Sequence, residues 1–169
     1  MFNDELQFGE IGEYVVWNLL QREKQTRAIF DVRDDTRFFR GADVDFLVQD
    51  YNRDITWIEV KTDQVAYRTG NFVYEIEYNG KIGAFEKTRA DFIAYYVPQS
   101  GIVYMLNVPA LRKRVASGDY PIKEMGRSSK GYVIPIADLE RFGVIAHEYH
   151  TTQITNERTD RNERERIDT

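Results

Sequence analysis

Residues 41–63 read GADVDFLVQDYNRDITWIEVKTD, and this stretch decides the fold. Two runs of alternating apolar and polar residues, ADVDFLVQD and ITWIEVKT, flank the turn-prone residues 51–53 and predict a β-hairpin. With the turn centred on Asn52, the apolar side chains of the two runs share one face of the hairpin. That face consists of Val44, Phe46, Val48, Ile58 and Val60, and we expect it to enter a hydrophobic core.

The opposite face of the hairpin carries charged side chains. In this register Asp45 lies opposite Glu59, and Asp43 lies opposite Lys61. Opposed residues of antiparallel strands have Cβ atoms roughly 4.5 to 5.5 Å apart, where like charges destabilise the pair. A divalent cation held between the two carboxylates removes this repulsion, and carboxylate oxygens are ligands for Mg²⁺ or Mn²⁺. Lys61 would then position or help deprotonate an attacking water, or stabilise a phosphoryl transition state.

The same residues have other interpretations. A Glu-x-Lys triplet on one strand face is often a surface ion pair, so a structural ion-pair network in an unrelated α/β protein is an alternative. Asp43 either pairs with Lys61 or caps the strand, or it contacts the metal. The hairpin spacing and the wholly apolar opposite face favour a functional site at Asp45 and Glu59.

The rest of the chain predicts helices around a sheet. Apolar residues recur at helical spacing from Asp4 to about Arg22, in a stripe that includes Ile11, Val15 and Leu19. Strands are expected at AIFDV, FVYEIEY, FIAYYV and IVYMLN, a helical or turn segment at GAFEKTRAD, and a helix at VPALRKRVAS. A last strand and a short helix are expected within KGYVIPIADLERFG. The predicted class is α/β or α+β, a mixed central sheet flanked by helices, with the N-terminal helix before the hairpin.

Length and composition limit the class of protein. A chain of 169 residues suits one domain, expected at 1–155, followed by a charged tail at 156–169 that cannot build a core. The net charge of −5 argues against a surface coated in basic residues but allows a local basic groove. Because the sequence has no cysteine, disulfides and thiolate metal sites are excluded. With neither a secretory signal nor an apolar span, a cytoplasmic protein is expected.

Two weaker motifs concern metal and phosphate. His147 and His150 have the i, i+3 spacing of a metal site on a helix face, but without a third ligand we expect no metal there. The basic residues Arg112, Arg114 and Lys123 either contact phosphates or belong to a solvated helix face and loop.

The series GADVDFLV from Gly41, followed by IEVK ending at Lys61, resembles the PD-(D/E)xK nuclease superfamily, which includes restriction endonucleases and Holliday-junction resolvases. Val44 stands where that motif has Pro. The resemblance implies a restriction-endonuclease-like fold. It also implies that Asp45 and Glu59 bind metal with the carbonyl of Val60, and that Lys61 is the catalytic lysine.

The resemblance also implies further residues and an activity. Members of several branches use a helix glutamate as metal ligand, and Glu13 is the better candidate than Glu10 because it borders the apolar stripe. In some relatives an acidic residue after the lysine, here Glu75, lies near the site. The expected activity is Mg²⁺-dependent endonuclease or exonuclease cleavage of DNA, in recombination, repair or phage DNA processing, by a protein that pairs as a homodimer. The alternative is a catalytically silent nucleic-acid-binding or assembly protein on the same fold.

Overall fold

The computed structural model of the chain describes residues 2–37, 42–125 and 128–151, with side chains from residue 8 onward. The helices are α1 (Phe2–Arg22), α2 (Ala66–Thr69), α3 (Ala84–Lys87), α4 (Val108–Ser117) and α5 (Ile136–Arg141). The strands are β1 (Thr26–Asp31), β2 (Phe46–Asp50), β3 (Ile55–Thr62), β4 (Asn71–Tyr78), β5 (Lys81–Ile82), β6 (Phe92–Val97), β7 (Ile102–Asn107), β8 (Ile122–Met125), β9 (Ser129–Pro135) and β10 (Ile145–His150). The tail predicted at 156–169 lies outside the described residues. None of the described helices has the length and apolar character needed to cross a membrane.

Six strands form the first sheet, in the order β1-β2-β3-β6-β7-β10. Its neighbouring strands are antiparallel except for β3 and β6, which run parallel. The mixed sheet with flanking helices confirms the predicted fold class. Parallel neighbours need a long crossover, and here the crossover contains β4 and β5 with two short helices. Strand β3 therefore lies inside the sheet, paired on both edges.

Helix α1 covers one face of the first sheet. Val16 and Leu19 pack there against Ile58 and Val60 of β3. The predicted stripe is wrong at Ile11, whose side chain is 48% exposed. The buried position one turn before Val16 belongs instead to Gly12, where an added Cβ would overlap with Oγ1 of Thr62. Without a side chain at that position, the helix can approach β3 closely enough to seal this face.

The opposite face of the first sheet packs against a second sheet of four strands, in the order β5-β4-β9-β8. Phe72 and Tyr74 of β4 meet Tyr95 of β6 in the core between the two sheets, together with Leu106 and Leu111. The sequence predicts the strands β4 and β9 but not the second sheet that they form. Its strand β8 reads IKEM and is exposed at three of four positions, so it lacks the alternation by which a strand is recognised.

Strand β10 also differs from the sequence interpretation. His147 and His150 lie on β10, which pairs with β7, and not on a helix. Residues three apart on a strand point to opposite faces, so the two imidazoles cannot share a metal in the way that a helix would allow. His150 forms its contact with Glu148 instead, at 3.0 Å. The expectation that these histidines bind no metal remains a prediction.

Candidate active site

The hairpin of β2 and β3 has the register expected from the sequence. Phe46 pairs with Ile58, and Gln49 pairs with Ile55. One residue before β2, the backbone N–H of Asp45 donates to the carbonyl of Ile58 at 2.9 Å. The regular pairing of β2 with β3 therefore ends at Phe46, one residue after Asp45. The side chain of Asp45 reaches the backbone of β3.

Asp45 is buried and held by the main chain of β3. Its side chain accepts a hydrogen bond at Oδ2 from the backbone N–H of Val60 at 2.7 Å, and the residue is 6% exposed. Its own carbonyl accepts from the N–H of Val32 at 3.0 Å. Burial raises the pKa of Asp45 to about 6, although the Val60 N–H and the charge of Lys61 act in the opposite direction.

Glu59 and Lys61 lie on one face of β3, two residues apart, and form an ion pair. Glu59 is 5% exposed, and burial raises its pKa to about 8, against the opposing effect of Lys61. The nearby charge of Asp45 raises it further. Burial lowers the pKa of Lys61, but Glu59 and the other two carboxylates, Asp45 and Asp43, raise it above its ordinary value. Lys61 is therefore a cation throughout the neutral range.

Asp43 does not pair with Lys61, so that alternative from the sequence is wrong. Its backbone has φ of 45°, a left-handed conformation that ends the extended chain before β2. Its Oδ1 accepts from Nζ of Lys87 at 2.7 Å, and its carbonyl accepts from the hydroxyl of Thr88 at 2.7 Å. The remaining alternative, that Asp43 caps the strand, agrees with this backbone better than metal contact does.

The same backbone turn moves Val44 away from the apolar face predicted for the hairpin. Phe46, Ile58 and Val60 pack beneath α1 as expected. Val44 instead joins a separate cluster with Val32, Ala42 and Ala90. The strict alternation assumed from the sequence fails here because extended geometry begins only at Phe46.

Glu13 lies on α1 and is bound by an arginine that the sequence did not single out. Arg33 contacts both Glu13 and Asp31, and its guanidinium lies 5.3 Å from the ring centroid of Phe46. Glu13 is close enough to contribute to the raised pKa of Asp45. Arg33 follows β1 by two residues, and no spacing in the sequence links it to a glutamate twenty positions earlier.

The three expected metal ligands, Asp45, Glu59 and Glu13, do not form one cluster. Within residues 2–37, 42–125 and 128–151, no three histidine, aspartate or glutamate side chains lie together as a metal would require. The donor set that the chain does assemble is Asp45 with Glu59. The N–H and C=O of one strand residue point to the same side of the strand, so the Val60 carbonyl lies on the side from which the Val60 N–H reaches Asp45. Two carboxylates and a carbonyl suit Mg²⁺, which keeps several waters and takes one or two protein carboxylates.

Glu75 lies on β4, outside this group of residues. Its Oε2 accepts from the hydroxyl of Ser129 at 2.6 Å, and its Oε1 accepts from the N–H of Ala84 at 3.5 Å. These hydrogen bonds connect β4 to β9 and to the first residue of α3. The structure therefore gives Glu75 a place in the second sheet rather than beside Asp45.

The arginines of α4 have structural partners. Arg112 donates to the carbonyls of Phe85, Glu86 and Thr88, at 3.2, 3.2 and 2.6 Å. Arg114 lies 3.7 Å from the ring centroid of Phe142. Neither alternative from the sequence, a phosphate contact or a solvated helix face, describes these two side chains. They hold α3 and α5 against α4.

No family model matches the chain, and no curated protein matches it. Among solved structures, a bacterial homing endonuclease, I-Ssp6803I, is similar over 74% of this chain and 75% of its own. The TM-score is 0.47 and the sequence identity is 14%. A likeness at this distance carries no argument about activity, which has to come from the geometry of the site.

Proposed function

We propose that the chain is a metal-dependent nuclease of the PD-(D/E)xK type that hydrolyses phosphodiester bonds of DNA. Asp45 and Glu59 would hold Mg²⁺ or Mn²⁺, with the carbonyl of Val60 as a further ligand. The bound cation would supply a Lewis acid for the phosphate and a water of lowered pKa. Lys61 is the proposed catalytic lysine.

One observation carries this proposal, the burial of two carboxylates side by side. Asp45 and Glu59 are 6% and 5% exposed; burial raises the pKa of Glu59, and the nearby charge of Asp45 raises it further. Removing a carboxylate from water is costly unless a counter-charge is present. One lysine faces both groups, which leaves an excess of negative charge when both are ionised. A divalent cation would remove that excess.

The residues of the chain have distinct proposed roles. The Val60 N–H fixes the rotamer of Asp45, so this carboxylate is oriented before substrate arrives. Glu59 pairs with the ammonium of Lys61 and so keeps it near Asp45. Because the pKa of Lys61 is raised, a protonated lysine is the supported form, and charge stabilisation of the phosphoryl group is favoured over proton abstraction from water. Glu13 stays outside the proposed ligand set, since its carboxylate pairs with Arg33.

The direct test is cleavage of single-stranded, duplex and branched DNA in the presence of Mg²⁺ or Mn²⁺. Lys61→Ala should lower the rate roughly a hundredfold or more, the effect of losing one preorganised charge in a hydrolytic site. Lys130→Ala is the matched control, because Lys130 also pairs with a strand glutamate but is 44% exposed. Unchanged cleavage in Lys61→Ala, or no cleavage of any of the substrates by the wild type, would count against the proposal.

The absence of a third carboxylate from the described cluster favours a second candidate, a catalytically silent nucleic-acid-binding protein. Calorimetric titration with Mn²⁺ separates the two. The nuclease proposal expects binding that Asp45→Asn removes, whereas a silent protein needs no such site. Glu77→Gln, an exposed acidic position on β4, should titrate like the wild type.

A further inference from the structure

A cleft of about 780 Å³ lies beside the candidate active site. Lys61 and Asp63, at the end of β3, lie on one wall, and the second sheet forms the other through residues that include Val73 and Val133. Its volume is within the roughly 300 to 1,000 Å³ of sites that hold one small molecule. The cleft therefore has room for a short stretch of one polymer strand next to Lys61.

The strand register shows which side chains of the second sheet point into this cleft. Glu75 of β4 lies opposite Gly131 of β9, which lies opposite Lys123 of β8. Opposed residues of neighbouring strands share a face, so Lys123 points to the cleft together with Glu75. The next residue, Glu124, points to the opposite face, where it lies across from Lys130. Lys123 is therefore the charged side chain that β8 contributes to the cleft.

Gly131 separates Lys123 from the acidic residue in the same row. Neighbouring strands lie roughly 4.8 Å apart, so Glu75 and Lys123 are roughly 10 Å apart across β9, with no side chain between them. The carboxylate of Glu75 accepts instead from the hydroxyl of Ser129 at 2.6 Å and from the N–H of Ala84 at 3.5 Å. The floor of the cleft is thus open between two groups that do not pair.

The second carboxylate of the cleft also has partners within the protein, whereas Lys123 has none in the described part of the chain. Asp63 accepts from the N–H groups of Val65 and Ala66 at 2.6 and 2.9 Å. The hydroxyl of Tyr95 donates to the same carboxylate. Lys123 is exposed, and no described side chain or carbonyl forms an ion pair or hydrogen bond with it. Its ammonium is available to an anion from outside.

A nucleic-acid strand carries anions in the arrangement that this cleft suits. A lysine ammonium binds phosphate as a point charge. A strand whose scissile phosphate lies at Lys61 has its neighbouring phosphates within the cleft that leads to Lys123. Asn71 and Tyr78 also line the cleft and supply an amide and a hydroxyl, which donate to phosphate and sugar oxygens in nucleic-acid complexes. The lining therefore fits the backbone of the strand.

We infer that Lys123 binds a phosphate of the substrate strand next to the one cut at Lys61, so that the cleft between the two sheets carries the backbone of one strand away from the active site. The inference rests on the proposed function and deepens it, because it names the surface that binds the substrate and the class of contact. A phosphate contact positions the strand without reading its bases.

The test measures how binding depends on salt, in metal-free buffer where no hydrolysis occurs. Fluorescence anisotropy follows short labelled strands of oligo-dT, of oligo-dC and of abasic sites. Each phosphate contact contributes about 0.7 to the slope of log affinity against log salt for a single strand. Lys123→Gln should therefore reduce this slope by about 0.7 and lower the affinity about fivefold at about 0.1 M salt. The three strands should lose equally, because the contact is to the backbone.

Matched variants separate this contact from a general effect of charge. Lys123→Arg keeps the cation and should keep the slope. Lys130→Gln removes the same charge from the opposite face of the same sheet, and Lys113→Gln removes it from an exposed position on α4. Both of these controls should keep the wild-type slope.

Steady-state cleavage with Mg²⁺ gives a second readout. Lys123→Gln should raise KM about fivefold and keep kcat within about twofold, since a contact away from the cut bond is made equally in the ground state and the transition state. Lys61→Ala should lower kcat instead. A lower kcat with unchanged KM in Lys123→Gln would contradict the assigned position of Lys123.

An unchanged salt slope in Lys123→Gln would overturn the inference, as would an equal loss of slope in Lys130→Gln or Lys113→Gln. A loss confined to base-bearing strands, or no binding of any strand by the wild type, would overturn it as well. The proposed function fails separately. Lys61-dependent cleavage with an unchanged slope in Lys123→Gln keeps the nuclease and loses the phosphate site. A Lys123-dependent slope without cleavage keeps the phosphate site and loses hydrolysis.

Discussion

Among the described residues, two ion pairs join a strand glutamate to a lysine, and they lie in opposite environments. Glu59 and Lys61 pair along β3 in the first sheet, where their side chains are 6% and 33% exposed. Glu77 and Lys130 pair across β4 and β9 in the second sheet at 3.9 Å, each 44% exposed. Water screens the second pair, which is why exposed pairs contribute little to stability. Burial beside Asp45 is what distinguishes the first pair and raises the pKa of Glu59.

The largest expected difference between the two pairs is in catalysis. Glu59→Gln keeps the size of the side chain but removes its charge, and it should lower kcat/KM for DNA cleavage at least about a hundredfold. Glu77→Gln should stay within about twofold of the wild type, as an exposed pair predicts. Steady-state kinetics with a labelled oligonucleotide measure both. Equal losses in the two variants would show that burial does not mark the site.

The next effect is the pH dependence of stability in the metal-free protein. Burial raises the pKa of Glu59 from an ordinary value of 4.5 to about 8, so the folded state holds a proton that the unfolded state has lost. The contribution of this group is complete below pH 4.5 and is lost as pH rises to about 8, with a slope of at most about 1.4 kcal/mol per pH unit. Asp45 adds a similar loss at lower pH, up to about 6.

Urea unfolding between pH 5 and 8 measures this slope. Glu59→Gln should flatten it because a neutral amide has no proton to lose, and Glu77→Gln should leave it unchanged. A wild type whose free energy of unfolding rises with pH over this interval would contradict the raised pKa.

A smaller effect concerns the seal that helix α1 places over the first sheet. Gly12→Ala brings a methyl group into Thr62 and should lower the free energy of unfolding by about 1 to 3 kcal/mol, the cost of overpacking. Gly9→Ala is the matched control on the same helix, with nothing within 4 Å of the added Cβ, and should raise stability by about 0.5 to 1 kcal/mol. Thermal and urea unfolding measure both. If both substitutions raised the free energy of unfolding, α1 would lie further from β3 than the structure shows.

The smallest effect is the coupling between Glu77 and Lys130. A double-mutant cycle with alanine at both positions should give less than about 0.5 kcal/mol, and less in high salt. A coupling above about 2 kcal/mol would show that the exposed Glu77–Lys130 pair contributes as much as a buried one.

The sequence predicted the parts of the fold that depend on local alternation. The hairpin register, the paired strands β6 and β7, and helix α4 with Pro109 in its first turn all follow from spacing and turn chemistry. The second sheet did not, because β8 is polar and the predicted strands β4 and β9, which pair with each other, are distant in sequence. The close approach of Gly12 to Thr62 was not predicted, because a residue without a side chain does not contribute to the apolar pattern of the helix.

The candidate site was predictable only in its strand residues. The register of the two hydrophobic runs pairs Phe46 with Ile58 as predicted, and Asp45, one residue before β2, lies close enough to Glu59 for its charge to raise the pKa of Glu59. The partners Arg33 and Lys87 come from distant segments and depend on how loops return to the sheet. The position of Asp43 depends on one left-handed backbone conformation. Aspartate tolerates this conformation, but its presence in the sequence does not predict it.

The eight consecutive residues of strand β3 contribute side chains to both faces of the first sheet. Ile58, Val60 and Thr62 face helix α1, while Glu59 and Lys61 point to the opposite face of the strand and form an ion pair there. Insertion or deletion of one residue in this strand would exchange the two sets and place a carboxylate and an ammonium beneath the helix. A change of length is thus excluded in β3, whereas the short and exposed strand β5 can gain or lose residues without changing this alternation.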